Sequence, residues 1–222
     1  DPNNMTALRG LERLYRNLQQ WDRLIETYDR HVLATPERSE KVECYAAIGE
    51  VYANELADPE RAIDSYSNLL GIDETNADAL DALTRLYEKR EDYPQALDTM
   101  NQLAQQLSDP QRLVDLRFRM GRLLDEHLAD RDAAVDCYRQ ALDVEPGHLP
   151  SLEAMRKIYL DSGDWLAAAR TLEQETEHTQ APRRSSELLV ELGRLYDERL
   201  DEHDRAVACY EAAYAEDNDN ED

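Results

Sequence analysis

The stretch "GEVYANELADPERAIDSY", residues 49–66, decides how this chain folds, because its landmarks return twice further along. Gly49, Tyr52, Ala62 and Tyr66 come back as Gly121, Leu124, Ala134 and Tyr138, then as Gly193, Tyr196, Ala206 and Tyr210, each set 72 residues after the one before. The same offset relates Leu8, Leu80 and Leu152, then Leu11, Leu83 and Met155, then Tyr15, Tyr87 and Tyr159, and the aromatic set Trp21, Tyr93 and Trp165. Tyr45, Ile48 and Tyr52 stand at i, i+3 and i+7, as do Leu8, Leu11 and Tyr15, which marks one face of a helix and not a strand. Each 72-residue unit therefore divides into two related halves, each of two short helices joined by a tight turn.

Boundary residues support that division. Asp58-Pro59-Glu60 offers an N-cap, a proline for the first turn and an acid for the positive helix end. Thr35-Pro36-Glu37 and Asp109-Pro110 offer similar starts, and Asp92 and Asp164 are expected caps. The count comes to about twelve helices in six pairs.

Composition agrees with an all-α protein. Ala, Leu, Glu and Arg recur throughout, alternating β-branched runs are missing, and only 7 Gly and 8 Pro are available for loops among 222 residues. The balance of 49 acids to 25 bases, a formal charge of −24, argues against nucleic acid and against an anionic membrane surface. No apolar run approaches the roughly 20 residues of a membrane span, and free thiols point weakly to a cytoplasmic, reducing compartment. Cys44, Cys137 and Cys209 show no metal-ligand spacing and read as small core residues. The five histidines fall at unrelated repeat positions, and neither a phosphate loop nor a nucleophile elbow is present. Nothing in the pattern points to an enzyme, a metal or a cofactor.

The chain resembles the tetratricopeptide repeats. Leu192-Gly193, Tyr196, Ala206 and Tyr210 follow the repeat's pattern closely, and Met120-Gly121, Ala134, Tyr138 and Pro146 follow it with Leu124 in place of the tyrosine. The alternate halves are more divergent and carry Glu12, Thr84 and Arg156 where the pattern has glycine. The resemblance covers the whole chain as one domain, 1–222, with approximate repeats at 5–38, 42–76, 77–110, 114–148, 149–182 and 186–220. It implies a right-handed α-α superhelix in which small residues and the three repeated glycines let helices approach closely. The chain begins and ends in equivalent loop sequence, as a segment of a longer array would, with "AEDNDNED" at 215–222 as the start of a further repeat.

The resemblance also implies that the first helix of each pair lines a groove for a peptide or partner helix. The central groove position reads Arg13, Glu50, Arg85, Arg122, Lys157 and Arg194, five bases in an acidic protein. Phe118 and Val190, four residues upstream of two of these, offer apolar contacts. Two explanations compete. The bases pair within their own helices, Arg122 with Asp125 and Glu126, Arg194 with Asp197 and Glu198. Alternatively they form a ladder for carboxylates on an acidic partner, which the arginine fork suits. A lysine–asparagine carboxylate clamp is not expected, because Arg9 with Arg13 and Ala46 with Glu50 stand at its places. The expected function is a protein-interaction scaffold. The alternatives are a regulatory module of a larger protein and end-to-end self-association through the terminal repeats.

Overall fold

The computed structural model describes residues 4–218. Among these residues the chain is all-helical, with no strand, and twelve helices follow one another in six antiparallel pairs. Every helix start obeys the 72-residue offset. Within it α1 (Met5–Asn17), α5 (Ala77–Lys89) and α9 (Leu149–Ser162) are equivalent, as are α2 (Trp21–Ala34), α6 (Tyr93–Gln106) and α10 (Trp165–His178). The other halves give α3 (Arg38–Asn54), α7 (Pro110–Glu126) and α11 (Pro182–Glu198), then α4 (Pro59–Leu70), α8 (Arg131–Val144) and α12 (His203–Asn218). Residues 215–218 continue α12, and the rest of the expected further repeat lies outside the described residues.

The chain forms two compact units, 1–108 and 109–222. In the first unit α1 to α6 each pack on the next, and in the second α7 to α12 do the same. A lone pair cannot bury its apolar face, so the cores form where pairs meet. In the first unit Leu24, Ile25, Tyr28 and Val32 of α2 meet Cys44, Ile48 and Val51 of α3. In the second, Ala168, Ala169 and Leu172 of α10 meet Leu188, Leu192, Leu195 and Tyr196 of α11, with Ala206 of α12 closing the cluster.

The repeated glycines pack as expected. A Cβ on Gly49 would stand 2.8 Å from the Tyr66 ring and one on Gly193 2.7 Å from the Tyr210 ring, while Gly121 lies tightest of the three against Tyr138. Ala62 and Ala134 are fully buried beside them.

The caps follow the sequence with one correction. Asp58 accepts from Arg61 N at 3.1 Å, Asp109 from Gln111 N at 3.0 Å and Asp164 from Ala167 N at 3.1 Å. Asp92 stands at the N-cap of α6 without a side-chain bond to the helix. Thr35 is not an N-cap, since α3 begins two residues later than that reading requires, with Glu37 in the cap position. Its hydroxyl instead accepts from Glu37 N and donates to Glu40. The turn inside every pair carries one left-handed residue, at Gln19, Ala57, Glu91, Ala129, Gly163 and Asp201, and only once is it glycine.

Candidate partner-binding face and the buried polar seams

Arg13 on α1, Arg85 on α5, Arg122 on α7, Lys157 on α9 and Arg194 on α11 are all solvent-exposed. They divide by partner. Arg85 is held by Asp81 at 2.6 Å, and Arg122 grips Glu126 with two hydrogen bonds of 3.0 Å. Asp125, the other expected partner of Arg122, pairs with Arg131 instead, and Asp197, expected for Arg194, takes His203 at 3.0 Å. Arg13, Lys157 and Arg194 make no ion pair among the described residues.

Phe118 is half-buried, and its ring is already engaged. It meets the Tyr138 ring at 5.7 Å and the His148 ring edge-on at 5.3 Å, so it anchors α7 to α8 and to the start of α9. Val190 is half-buried on α11. In the second unit a cleft of about 380 Å³ opens between α9 and α11, lined by Glu153, Arg156, Lys157, Leu160, Asp161 and Arg184. Lys157 is the central groove position read from the sequence of α9.

Beneath that cleft lies a network that the sequence did not reveal. Glu175 of α10, only 1% exposed, accepts from Arg156 Nε at 2.8 Å and from Arg184 at 3.3 Å. Arg156 also reaches Glu191 at 2.7 Å, and Arg184 reaches Glu153 at 3.4 Å. Burial pushes the Glu175 carboxyl up despite its arginines.

The corresponding residues of the first unit form three of these contacts with acidic and basic side chains exchanged, and Ala47 stands where Glu191 does. Glu12 stands where Arg156 does, His31 where Glu175 does, Glu40 where Arg184 does and Arg9 where Glu153 does. His31 Nδ1 lies 2.6 Å from Glu12 and Nε2 lies 3.3 Å from Glu40, while Arg9 reaches Glu40 at 2.6 Å. Hydrogen bonds from Thr35 and His31 hold the Glu40 carboxyl below its ordinary range. In the middle copy Thr84 takes the place of Glu12 and Leu103 that of His31, and the Thr84 hydroxyl donates to Leu80 O at 2.9 Å beside Thr99.

Sequence comparison decides the family. A tetratricopeptide repeat model matches residues 7–43 and 79–114, and a second model of the same repeat matches 114–148 and 186–220. The chain belongs to the tetratricopeptide repeat family.

Several solved structures share its fold. A crystal structure of MamA superposes with a TM-score of 0.50 at 17% identity, covering 94% of this chain and 95% of that one. A second MamA structure gives 0.51 at 20% identity, covering 79% and 96%. YrrB, described as a TPR protein with an unusual peptide-binding site, gives 0.51 at 17% identity, covering 82% and 93%. No curated protein matches this sequence. No helix among the described residues is long and apolar enough to cross a membrane.

Proposed function

We propose that this tetratricopeptide repeat protein is an interaction scaffold that holds an acidic protein segment against the face formed by α9 and α11. Family membership supports the scaffold reading, and YrrB supplies a peptide-binding precedent in the same fold. The observation that carries the site is the cleft between α9 and α11, where Lys157 stands exposed without an ion-pair partner among the described residues. Arg194 offers a second uncommitted cation further along α11, with Val190 one helical turn before it. A carboxylate arriving there meets cations that need not first leave a partner, and Leu160 adds apolar contact.

Arg122 and Arg85 have a different role in this reading, since their intrahelical pairs already satisfy them. Within α5 and α7 the paired explanation holds for these bases, while the ladder explanation is kept for Lys157, Arg194 and, in the first unit, Arg13. A peptide-array screen tests the reading. Acidic peptides should be captured and lost as salt rises, whereas capture of basic or apolar peptides alone would overturn it.

A further inference from the structure

We propose that Glu12, His31 and Cys44 form a binding site for one divalent transition-metal ion of the zinc or cobalt type, with Glu40 as the carboxylate that orients the histidine. Three different helices supply the three donors, α1, α2 and α3. One ligand atom from each lies within 4.8 Å of the other two. A tetrahedral zinc ion with bonds of about 2.0–2.3 Å holds its ligands roughly 3.3–3.6 Å apart. Side-chain adjustments of about an ångström therefore close the site. The mixed oxygen, nitrogen and sulfur set suits zinc or cobalt and not calcium or magnesium, which take oxygen alone.

The surroundings have the form that a metal-bound histidine requires. One ring nitrogen, Nδ1, faces Glu12 at 2.6 Å, and the other faces Glu40 at 3.3 Å. A histidine that ligates through one nitrogen almost always donates its other N–H to an oxygen, commonly a carboxylate, which fixes ring orientation and basicity. Glu40 is itself held by Thr35 and Arg9, each at 2.6 Å, so it is anchored for that role. His31 and Cys44 are buried, and Glu12 retains some exposure through which an ion and a completing water reach the site.

Comparison between copies supplies a second, independent observation. The ion-pair network repeats in the second unit without any thiol, because the place of Cys44 is taken there by Leu188 and in the middle copy by Leu116. Packing at this place is thus satisfied by leucine. The one copy that pairs its network with histidine is also the one that sets a cysteine beside it. Burial, followed by Glu12, Glu40 and Glu43, pushes the Cys44 thiol up to about 12, so the thiol keeps its proton when no cation is present. A dication reverses that balance. Its entry displaces the thiol proton, and ligation through Nδ1 leaves Nε2 to carry the ring proton toward Glu40.

The test is a cobalt titration of the full chain carrying Cys137→Ser and Cys209→Ser, which leaves Cys44 as the single thiol. One equivalent of Co²⁺ should bind with a thiolate-to-cobalt charge-transfer absorption in the near ultraviolet, and zinc should bleach it by competition. Adding Cys44→Ser should remove the band with helical circular dichroism unchanged. Glu40→Gln should weaken the metal about tenfold or more. A parent without the band, or cobalt binding that survives Cys44→Ser at full strength, overturns the site, and an unchanged affinity in Glu40→Gln overturns its orienting role.

Discussion

Glu12 and Arg156 occupy the same place in the repeat, two 72-residue steps apart, and carry opposite charge, Glu12 against an imidazole and Arg156 against a carboxyl group. Glu12 meets His31 at 2.6 Å, and Arg156 meets Glu175 at 2.8 Å. The seam between consecutive helix pairs therefore demands complementarity and is indifferent to sign. Breaking a buried pair from one side costs about 3–5 kcal/mol, because the remaining charge is left desolvated. Arg156→Ala should lower the unfolding free energy by about 3 kcal/mol, measured by urea denaturation. Glu12→Arg alone should destabilise comparably. The full exchange Arg9→Glu, Glu12→Arg, His31→Glu and Glu40→Arg rebuilds the second unit's pairs around Glu175 and Arg184, though not the one to Glu191, and should recover most of the loss.

Glu175 sets a pH dependence of defined sign. Burial raises its folded pKa, so the native state holds a proton at pH values where the unfolded chain has released it. Its contribution is greatest below the unfolded carboxylate value, about 4.3, and declines as pH rises through the raised folded value. Relative to Glu175→Gln, the parent should therefore lose stability as pH is raised from about 4 toward 7, read from paired urea curves. A gap that widens in the parent's favour over that range would contradict this assignment.

The three repeated glycines should not be equally sensitive. Tyr138 is buried and cannot retreat from a new Cβ at 121, whereas Tyr210 is more than one-third exposed and can swing outward. Gly121→Ala should cost about 2–3 kcal/mol, and Gly193→Ala clearly less. Thermal melts of the two variants distinguish them.

The turns inside the pairs offer stabilising changes. A non-glycine residue in the left-handed region costs about 1–2 kcal/mol, and Ala57 and Ala129 both sit there, with φ of 50° and 53°. Ala129→Gly should raise stability by up to about 1 kcal/mol after the added freedom of the unfolded chain is counted. Gly163→Ala, at φ 77°, should lower it.

Much of this was legible in the sequence because it depends on like residues recurring at like positions. Twelve helices, their offsets, the close helix approach at Gly49 and the caps at Asp58, Asp109 and Asp164 all follow from repetition. The seams were not legible for the same reason. Glu12, Thr84 and Arg156 look unrelated when read one position at a time, and the signal lies in their covariation with His31, Leu103 and Glu175 on the neighbouring helix. The pairing of the bases on the candidate face is likewise not written in the periodicity. Periodicity placed Arg122 and Lys157 at equivalent positions, but only geometry separates a base held by Glu126 from one without an ion pair.

The most direct measurement is the affinity of one captured acidic peptide for the parent and for a Lys157→Glu/Arg194→Glu variant, at low and high salt. The account predicts a loss of about tenfold or more in the variant, together with a flatter salt dependence, since two exposed cations each contribute up to about 1 kcal/mol. Equal affinities with equal salt slopes would contradict the claim that this face holds the partner.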